Sequence, residues 1–220
     1  MKALTVQFDL ETRTGDLYER LLNVLIKTWN IHANIPLEVH RIPAPDPFRE
    51  KYAFDSNTAK LDIWADHFDQ DTIFIDCDMM LLEDISDGFK YVENVGYTIR
   101  KHTRMPFNGG VVFMRHTEYA KKFLDKWREV NKEMYYDPAF HNKYRKTYGG
   151  INQASFGWML ESGWKADRVP EVYNLCQPFA NWQEAKMIHV KSQLRKDVQR
   201  RNVSGNRGDI VRLWYEYESM

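Results

Sequence analysis

The stretch TIFIDCDMMLLEDISD, Thr72–Asp87, decides the fold that this sequence predicts. It begins with Ile73–Ile75, a short β-branched and aromatic run that is typical of a buried strand. The run ends in Asp76 and Asp78, and because side chains alternate along a strand, both carboxylates project to the same side. Neighbouring carboxylates repel each other unless a positive charge lies between them. The stretch therefore predicts a divalent metal site, of the kind that carries a nucleotide diphosphate, at the end of a buried strand.

Composition indicates one domain and names no macromolecular partner. The chain has 220 residues, enough for one α/β domain with a hydrophobic core. Its 31 Lys and Arg balance its 31 Asp and Glu, so net charge indicates neither a nucleic-acid nor a membrane partner. Cys77 and Cys176 predict no disulfide framework, and we expect both to be reduced in a cytoplasmic protein. We expect no signal peptide, and no apolar run approaches the ~20 residues of a transmembrane segment.

The order of predicted elements is that of a single α/β domain with a mostly parallel sheet. The predicted strands are Leu4–Phe8, Leu37–Ile42, Thr72–Asp76, Gly96–Ile99, the run that follows a turn at Asn108–Gly110, and Lys186–Val190. The predicted helices are Asp16–Trp29, Thr58–Phe68 (capped by Asp55–Asn57), Glu118–Met134 and Asn152–Glu161. Residues Tyr135–Tyr148 show no regular pattern. Sheets of this class bind ligands beyond the carboxyl ends of their strands, where Asp9, Asp76, Asp78 and His189 are predicted to lie.

Five motifs in order carry a resemblance to a known family. They are NTAKLDIW (57–64), DTIFIDCDMMLLEDISDGF (71–89), FNGGVVF (107–113), YGGINQASFGWML (148–160) and IHVK (188–191). Together they resemble the glycogenin-like, family-8 glycosyltransferases of the GT-A fold, over Asn57–Lys191. The resemblance implies transfer of a sugar from a nucleotide-diphosphate donor, usually a UDP-sugar, with Mn²⁺ or Mg²⁺ and with retention at the anomeric carbon. We expect a catalytic domain, residues 1–191, followed by a basic C-terminal tail, residues 192–220.

The resemblance also implies a metal site and its ligands. Asp76 and Asp78 match the family's Asp-x-Asp, which holds the metal and touches the donor's ribose. His189 matches the histidine that is the third protein ligand. Imidazole is a softer donor than carboxylate, so this set suits Mn²⁺ better than Ca²⁺. Lys191 is similar to the nearby lysine that binds the diphosphate.

Four further residues match positions that line the donor sugar. Lys60 matches a lysine near the phosphates and the sugar, and Asn108 and Gly109 match the turn that lines the sugar pocket. Gln153 matches the glutamine at the reacting face. Asn152 stands where the family has aspartate, and we expect it to alter recognition of the sugar hydroxyls while the protein stays active. Gln153, Asn152 and Asp78 are thus the predicted catalytic residues.

Other interpretations stay open on the sequence alone. An Asp-x-Asp pair is also typical of turn residues that leave a strand, and Lys60 and Lys191 could be solvated surface lysines. A nucleotidyl- or phosphoryl-transfer enzyme would hold two metals and need further carboxylates, for which Glu83 and Asp84 are candidates. A non-catalytic nucleotide-sugar-binding protein with the same fold is the other alternative. The sequence names neither the acceptor, nor the sugar, nor the oligomeric state.

Overall fold

A computed structural model describes residues 1–9, 15–43, 52–100, 107–176 and 181–220. The strands are β1 (Lys2–Asp9), β2 (Leu37–Pro43), β3 (Thr72–Asp76), β4 (Met79–Leu81), β5 (Val95–Ile99), β6 (Phe107–Met114), β7 (Asp167–Val169) and β8 (Met187–His189). The helices are α1 (Leu17–His32), α2 (Tyr52–Asp66), α3 (Glu118–Tyr136), α4 (Pro138–Tyr148), α5 (Ile151–Glu161), α6 (Ser192–Gln199) and α7 (Gly208–Ser219). Short 3₁₀ helices lie at Ser86–Tyr91, Glu171–Asn174, Trp182–Glu184 and Gly205–Arg207.

A six-stranded mixed sheet in the order β2-β1-β3-β6-β5-β7 forms the centre of the domain. Strand β1 pairs in parallel with β2 and β3, and β5 pairs in parallel with β7, whereas β6 runs antiparallel to both of its neighbours. A separate two-stranded ribbon pairs β4 with β8. This arrangement confirms the prediction of a single α/β domain with a mostly parallel central sheet.

Strand β3 is buried on both faces, as its apolar run predicts. Ile73 and Ile75 pack into a core cluster on one face, together with Leu22 and Leu25 of α1. Phe74 points to the opposite cluster, where its ring stacks on Trp64 of α2 with centroids 4.6 Å apart. Residues that alternate along a strand face opposite sides, so a fully apolar strand needs two covered faces. The position of β3 places Asp76 at the carboxyl end of a central strand.

Three local predictions are wrong. Helix α2 begins at Tyr52, so the expected caps at Asp55–Asn57 lie inside the helix. Residues 138–148 form helix α4 because Asp137 caps it: the Asp137 carboxylate accepts hydrogen bonds from the backbone N–H groups of Ala139 and Phe140. Asn108–Gly110 is not a turn but part of β6. The short strand β7 has too few residues to show a pattern in the sequence.

The C-terminal residues pack against the domain. Buried residues of α6 and α7, among them Leu194, Ile210 and Trp214, share a core cluster with Leu17 and Leu21 of α1. Arg20 of α1 reaches the last helix, where its guanidinium pairs with the Glu218 carboxylate. The segment therefore forms a packed pair of helices and is part of the folded domain. The division of the chain at residue 191 stays a prediction.

Candidate active site

The end of strand β3 and the ribbon of β4 and β8 bring Asp76, Asp78 and His189 together. Asp76 closes β3, and β4 follows at once and pairs antiparallel with β8 so that Met79 lies opposite His189. His189 Nε2 lies 3.1 Å from Asp78 Oδ1 and 3.8 Å from Asp76 Oδ2. One ligand atom from each of the three residues lies within 4.8 Å of the others. Residues from distant parts of the sequence thus form a compact set of two carboxylates and one imidazole.

Asn174 fixes the orientation of the His189 ring. The Asn174 amide nitrogen donates to Thr98 Oγ1 at 2.8 Å and to the Asn108 carbonyl at 3.2 Å, so the amide oxygen must face the other way. That oxygen lies 3.2 Å from His189 Nδ1 and accepts a hydrogen bond from its N–H. In the neutral ring the proton is then on Nδ1, and the lone pair of Nε2 faces the two aspartates. A lone pair held against carboxylates is favourable only with a cation between them, which is the arrangement of a metal-ligating histidine.

Burial and charge shift the pKa values of Asp78 and His189 in the directions that a metal site needs. Burial lowers the pKa of His189, and the nearby Lys191 ammonium lowers this pKa further, which favours the neutral imidazole. Burial by itself raises the pKa of Asp78, but His189 and Arg195 outweigh that effect, and the pKa lies below the ordinary value. These directions favour an ionised Asp78 carboxylate and a His189 ring that gives up its second proton readily, as a metal ligand must. The residues present fit a divalent ion that accepts both oxygen and nitrogen, such as Mn²⁺.

Each aspartate also holds a cationic side chain. Lys60 Nζ donates to Asp76 Oδ1 at 2.7 Å, and Arg195 pairs with Asp78 Oδ2. The Arg195 guanidinium is held in place by the Tyr18 hydroxyl at 2.8 Å and by the Val190 carbonyl at 3.2 Å. Sequence analysis missed Arg195 because it was counted with the basic tail. The sequence feature that points to Arg195 is its position in the first turn of helix α6, which directly follows the strand of His189.

Lys191 and Asn108 lie beside this group. Lys191 Nζ donates to Asn108 Oδ1 at 2.8 Å, and the Asn108 amide donates to the Asn174 carbonyl at 3.1 Å. Burial lowers the pKa of Lys191, so its ammonium is held in a poorly solvated place. The backbone comes closest to the His189 ring at Gly110. A Cβ on Gly110 would lie 2.5 Å from the His189 ring, whereas one on Gly109 would meet its nearest atom, on Phe107, at 3.3 Å.

Gln153 and Asn152 lie at the start of α5 and are engaged elsewhere. The Gln153 amide nitrogen donates to the carbonyls of Phe107 and Tyr148, both at 3.0 Å. The Asn152 amide is buried between helices: it accepts from Asn131 at 2.9 Å and donates to the Asn57 carbonyl at 3.0 Å. An aspartate at this position would set a carboxylate against that carbonyl, which is a physical reason for the amide. The roles of both residues toward a sugar stay predictions.

Two adjoining clefts open at this edge of the sheet. The cleft over the aspartates holds about 240 Å³ and is lined by Val6, Phe8, Tyr18, Ala53, Ser56, Asn57, Lys60, Asp76, Cys77 and Asp78. A larger one of about 460 Å³ lies at the ends of β1 and β2 and is lined by Gln7, Asp9, Gly15, Asp16, Tyr18, Glu19, Arg41, Ile42 and Pro43. Tyr18 borders both. Together they offer a continuous surface beside the proposed metal ligands.

Comparison with known proteins gives structural relatives only. No protein-family model matches the chain, and no curated protein matches its sequence. The glycosyltransferase GlyE of Streptococcus pneumoniae TIGR4 superposes with a TM-score of 0.63 at 14% identity, over 100% of this chain and 61% of GlyE. A glycosyltransferase involved in the glycosylation of the major capsid of PBCV-1 gives 0.60 at 12% identity, over 90% of this chain and 98% of the other. Mouse xyloside xylosyltransferase 1 in its apo form gives 0.56 at 10% identity, over 88% and 98%.

The chain has a GT-A-like glycosyltransferase fold. This confirms the fold prediction. Identities of 10–14% show the fold alone, so the closer resemblance to the glycogenin-like family stays a prediction. The chain spans 61% of the length of GlyE. Within the described ranges, no helix combines the length and the apolar character needed to cross a membrane.

Proposed function

We propose that this protein is a metal-dependent glycosyltransferase of glycogenin-like type that moves a sugar from a UDP-sugar to an acceptor, with retention at the anomeric carbon. One observation carries the proposal. Asp76, Asp78 and His189 converge at the carboxyl end of the sheet, and Asn174 turns the His189 lone pair toward the carboxylates. Such a group, in a GT-A-like fold, is suited to hold Mn²⁺ or Mg²⁺. A cytoplasmic location is part of the same proposal.

Asp76, Asp78 and His189 would hold the ion, which when bound offsets the charge that develops on a departing diphosphate. The two carboxylates and the neutral imidazole carry a net charge of minus two. A divalent ion together with these three ligands would therefore be close to neutral. The cleft lined by Asp76 and Asp78 would receive the diphosphate. Oxygen atoms of a diphosphate are the hard ligands that such an ion accepts there.

Three cations would bind the diphosphate. Lys60 pairs with Asp76 and Arg195 pairs with Asp78, whereas Lys191 donates to the side chain of Asn108. With the aspartates engaged as metal ligands, Lys60 and Arg195 would donate to phosphate oxygens of the donor. Lys191 is poorly solvated and therefore gains more from an anionic partner than an exposed lysine would. These residues bind and orient the donor and stabilise its leaving group.

Gln153, Asn108 and Gly109 would line the sugar. The Gln153 amide nitrogen is fixed by two carbonyls, which leaves its oxygen as the group that can face positive charge at the anomeric carbon. An amide is no base near neutral pH, so in this proposal the leaving phosphate oxygen deprotonates the acceptor. That route delivers the acceptor to the face that the phosphate leaves, which is retention. Asn152 would act on sugar recognition from its buried network.

A nucleotidyl- or phosphoryl-transfer enzyme is less well supported. Such an enzyme needs carboxylates beyond Asp76 and Asp78 to hold a second metal. The Asp84 carboxylate is already used in hydrogen bonds, because it accepts from the backbone N–H groups of Asn34 and Ser86. In the described part of the chain, the metal-binding group at Asp76 contains no further acid.

The test is donor turnover by purified protein. UDP-, GDP- and ADP-sugars are incubated with and without Mn²⁺, and nucleotide release is measured, with nucleoside triphosphates as a parallel set. We expect Mn²⁺-dependent release from a UDP-sugar, and loss of that release in Asp78→Asn. Proton NMR of the product should give the anomeric configuration of the donor. Binding without turnover would support the binding-protein alternative, turnover of triphosphates the phosphoryl-transfer one, and an inverted product would rule out retention.

A further inference from the structure

We propose that Glu38, His40 and His67 form a second metal site, for a transition metal such as Zn²⁺, at the edge of the sheet. Glu38 and His40 project to the same side of the edge strand β2, and His67 follows the end of α2. One ligand atom from each lies within 4.8 Å of the others. The site shares no ligand with the group at Asp76. It lies two strands away from Asp76, because Val6 pairs with His40 on one side and with Asp76 on the other.

The three donors already converge on one point. Glu38 Oε1 lies 2.6 Å from His40 Nε2 and 3.0 Å from His67 Nδ1. Tetrahedral bonds of about 2.0–2.1 Å place neighbouring ligand atoms about 3.3 Å apart. The Glu38 oxygen therefore needs to move away from each histidine nitrogen by less than about 1 Å to admit an ion, which rotation of the side chains supplies without any change in the strands.

A buried lysine holds the carboxylate for this role. Lys2 Nζ pairs with Glu38 Oε2 at 2.6 Å and with Asp69 at 2.9 Å, and its side chain is only 8% exposed. The second oxygen of Glu38 is thereby occupied, so Glu38 presents only Oε1 to the two histidines. Metal-binding carboxylates and histidines are commonly oriented by such outer partners. The arrangement is that of a prepared ligand rather than of an isolated surface ion pair.

The donor set indicates the class of metal and an open position. Two imidazoles and one carboxylate suit Zn²⁺, Co²⁺ or Ni²⁺ and do not suit Ca²⁺ or Mg²⁺, which prefer oxygen. The side chains of His40, Glu38 and His67 are 20%, 32% and 41% exposed, so a fourth ligand can come from solvent. Bound metal would connect the edge strand to the end of α2, the helix that carries Lys60 in the donor cleft.

Co²⁺ titration of the full, untagged chain tests the site, because tetrahedral Co²⁺ has visible absorption bands and an added His-tag would bind the same metals. The chain is first stripped with EDTA. Wild-type protein and Asp78→Asn should both give these bands, since the proposed site does not use Asp78. His67→Gln should lose them, and its calorimetric Zn²⁺ affinity for this site should fall at least about tenfold. His67 is the most exposed of the three ligands, so this variant is expected to keep its fold, which circular dichroism checks.

His116→Gln serves as the matched control, because His116 is an exposed histidine that follows strand β6 and lies outside the site. This variant should bind metal as the wild-type protein does. Mn²⁺-dependent UDP binding should be the same in His67→Gln and in wild type. The proposal is overturned if His67→Gln keeps the wild-type spectrum and Zn²⁺ affinity. It is also overturned if Asp78→Asn loses all of the Co²⁺ bands and all of the bound metal that the wild-type protein shows. All of the metal would then be at the first site.

Discussion

Asn174 offers the sharpest test of the donor site, because it is expected to act on the metal without touching it. Its amide oxygen accepts from His189 Nδ1 at 3.2 Å and so keeps the Nε2 lone pair toward Asp76 and Asp78. Asn174→Leu removes this acceptor and keeps the branched shape and the number of side-chain heavy atoms. The ring is then free to turn or to place its proton on Nε2. Loss of such an outer partner weakens metal binding about 10–100-fold, which corresponds to about 1.4–2.7 kcal/mol.

Thr98→Val supplies the matched control. Thr98 is bonded to the same amide, since its hydroxyl accepts from the Asn174 nitrogen at 2.8 Å, but Asn174 keeps its oxygen toward His189 in this variant. Asn174→Leu removes three buried hydrogen bonds, to Thr98, Asn108 and His189, and Thr98→Val removes two, to Asn174 and Asn108, so both variants should unfold more easily and Asn174→Leu the more so. Only Asn174→Leu should also weaken Mn²⁺. A general loosening of the site would instead affect both variants alike.

Mn²⁺ affinity is measured by electron paramagnetic resonance of the free ion, with and without UDP, and folding is measured by urea denaturation. The expected result is a large loss of Mn²⁺ affinity in Asn174→Leu and a change of less than about threefold, or about 0.7 kcal/mol, in Thr98→Val. If a folded Asn174→Leu binds Mn²⁺ as tightly as wild type, then the orientation of His189 does not depend on Asn174. The argument for the metal from the histidine lone pair would then be refuted.

Four further changes test other parts of the structure. Lys191→Ala should weaken UDP more than uridine, because the lost contact is to phosphate; equal losses in calorimetry would show that Lys191 does not contact phosphate. Arg195→Gln should tighten Mn²⁺ binding in the absence of donor, since Asp78 loses a competing cation, and should weaken UDP in the presence of Mn²⁺; a loss in both assays would mean that Arg195 only supports the fold. Asn152→Ala should lower transfer about tenfold, and should lower stability by about 1–3 kcal/mol as its buried amide bonds are lost. A stability loss with unchanged transfer would make Asn152 purely structural. Phe74→Ala should cost about 3–5 kcal/mol in urea denaturation because the ring is fully buried, and a cost below about 1 kcal/mol would contradict the packing of β3 between two cores.

The sequence predicts the elements whose signals are local. Strand β3 was found because an apolar run of the right length ends in polar residues, and α1 and α3 because their apolar residues recur at helical spacing. Helix α4 was missed although its cap was present in the sequence, at Asp137 and Pro138. Its aromatic and basic side chains form no clear apolar face in the sequence.

The candidate site was predictable only in part, for a physical reason. Asp76 and Asp78 could be predicted from the sequence because they directly follow an apolar strand-like run. His189 was joined to them only through the family resemblance, since nothing local connects it with β3. Asn174 lies in a short 3₁₀ helix without periodicity, and its importance arises from bonds to Thr98 and Asn108 that only the folded sheet creates. Interactions of this kind have no local signature.

The ribbon of β4 and β8 has a consequence for how the protein folds. Its register sets Met79 opposite His189, and side chains of a strand alternate between its faces. A slip of one residue would therefore turn His189 to the opposite face, away from the aspartates. The two halves of the ribbon come from distant parts of the chain, so correct pairing requires a large loop to close, a slow and non-local step. A divalent ion that binds only the correct pairing would select the native register from its near neighbours and would slow its opening.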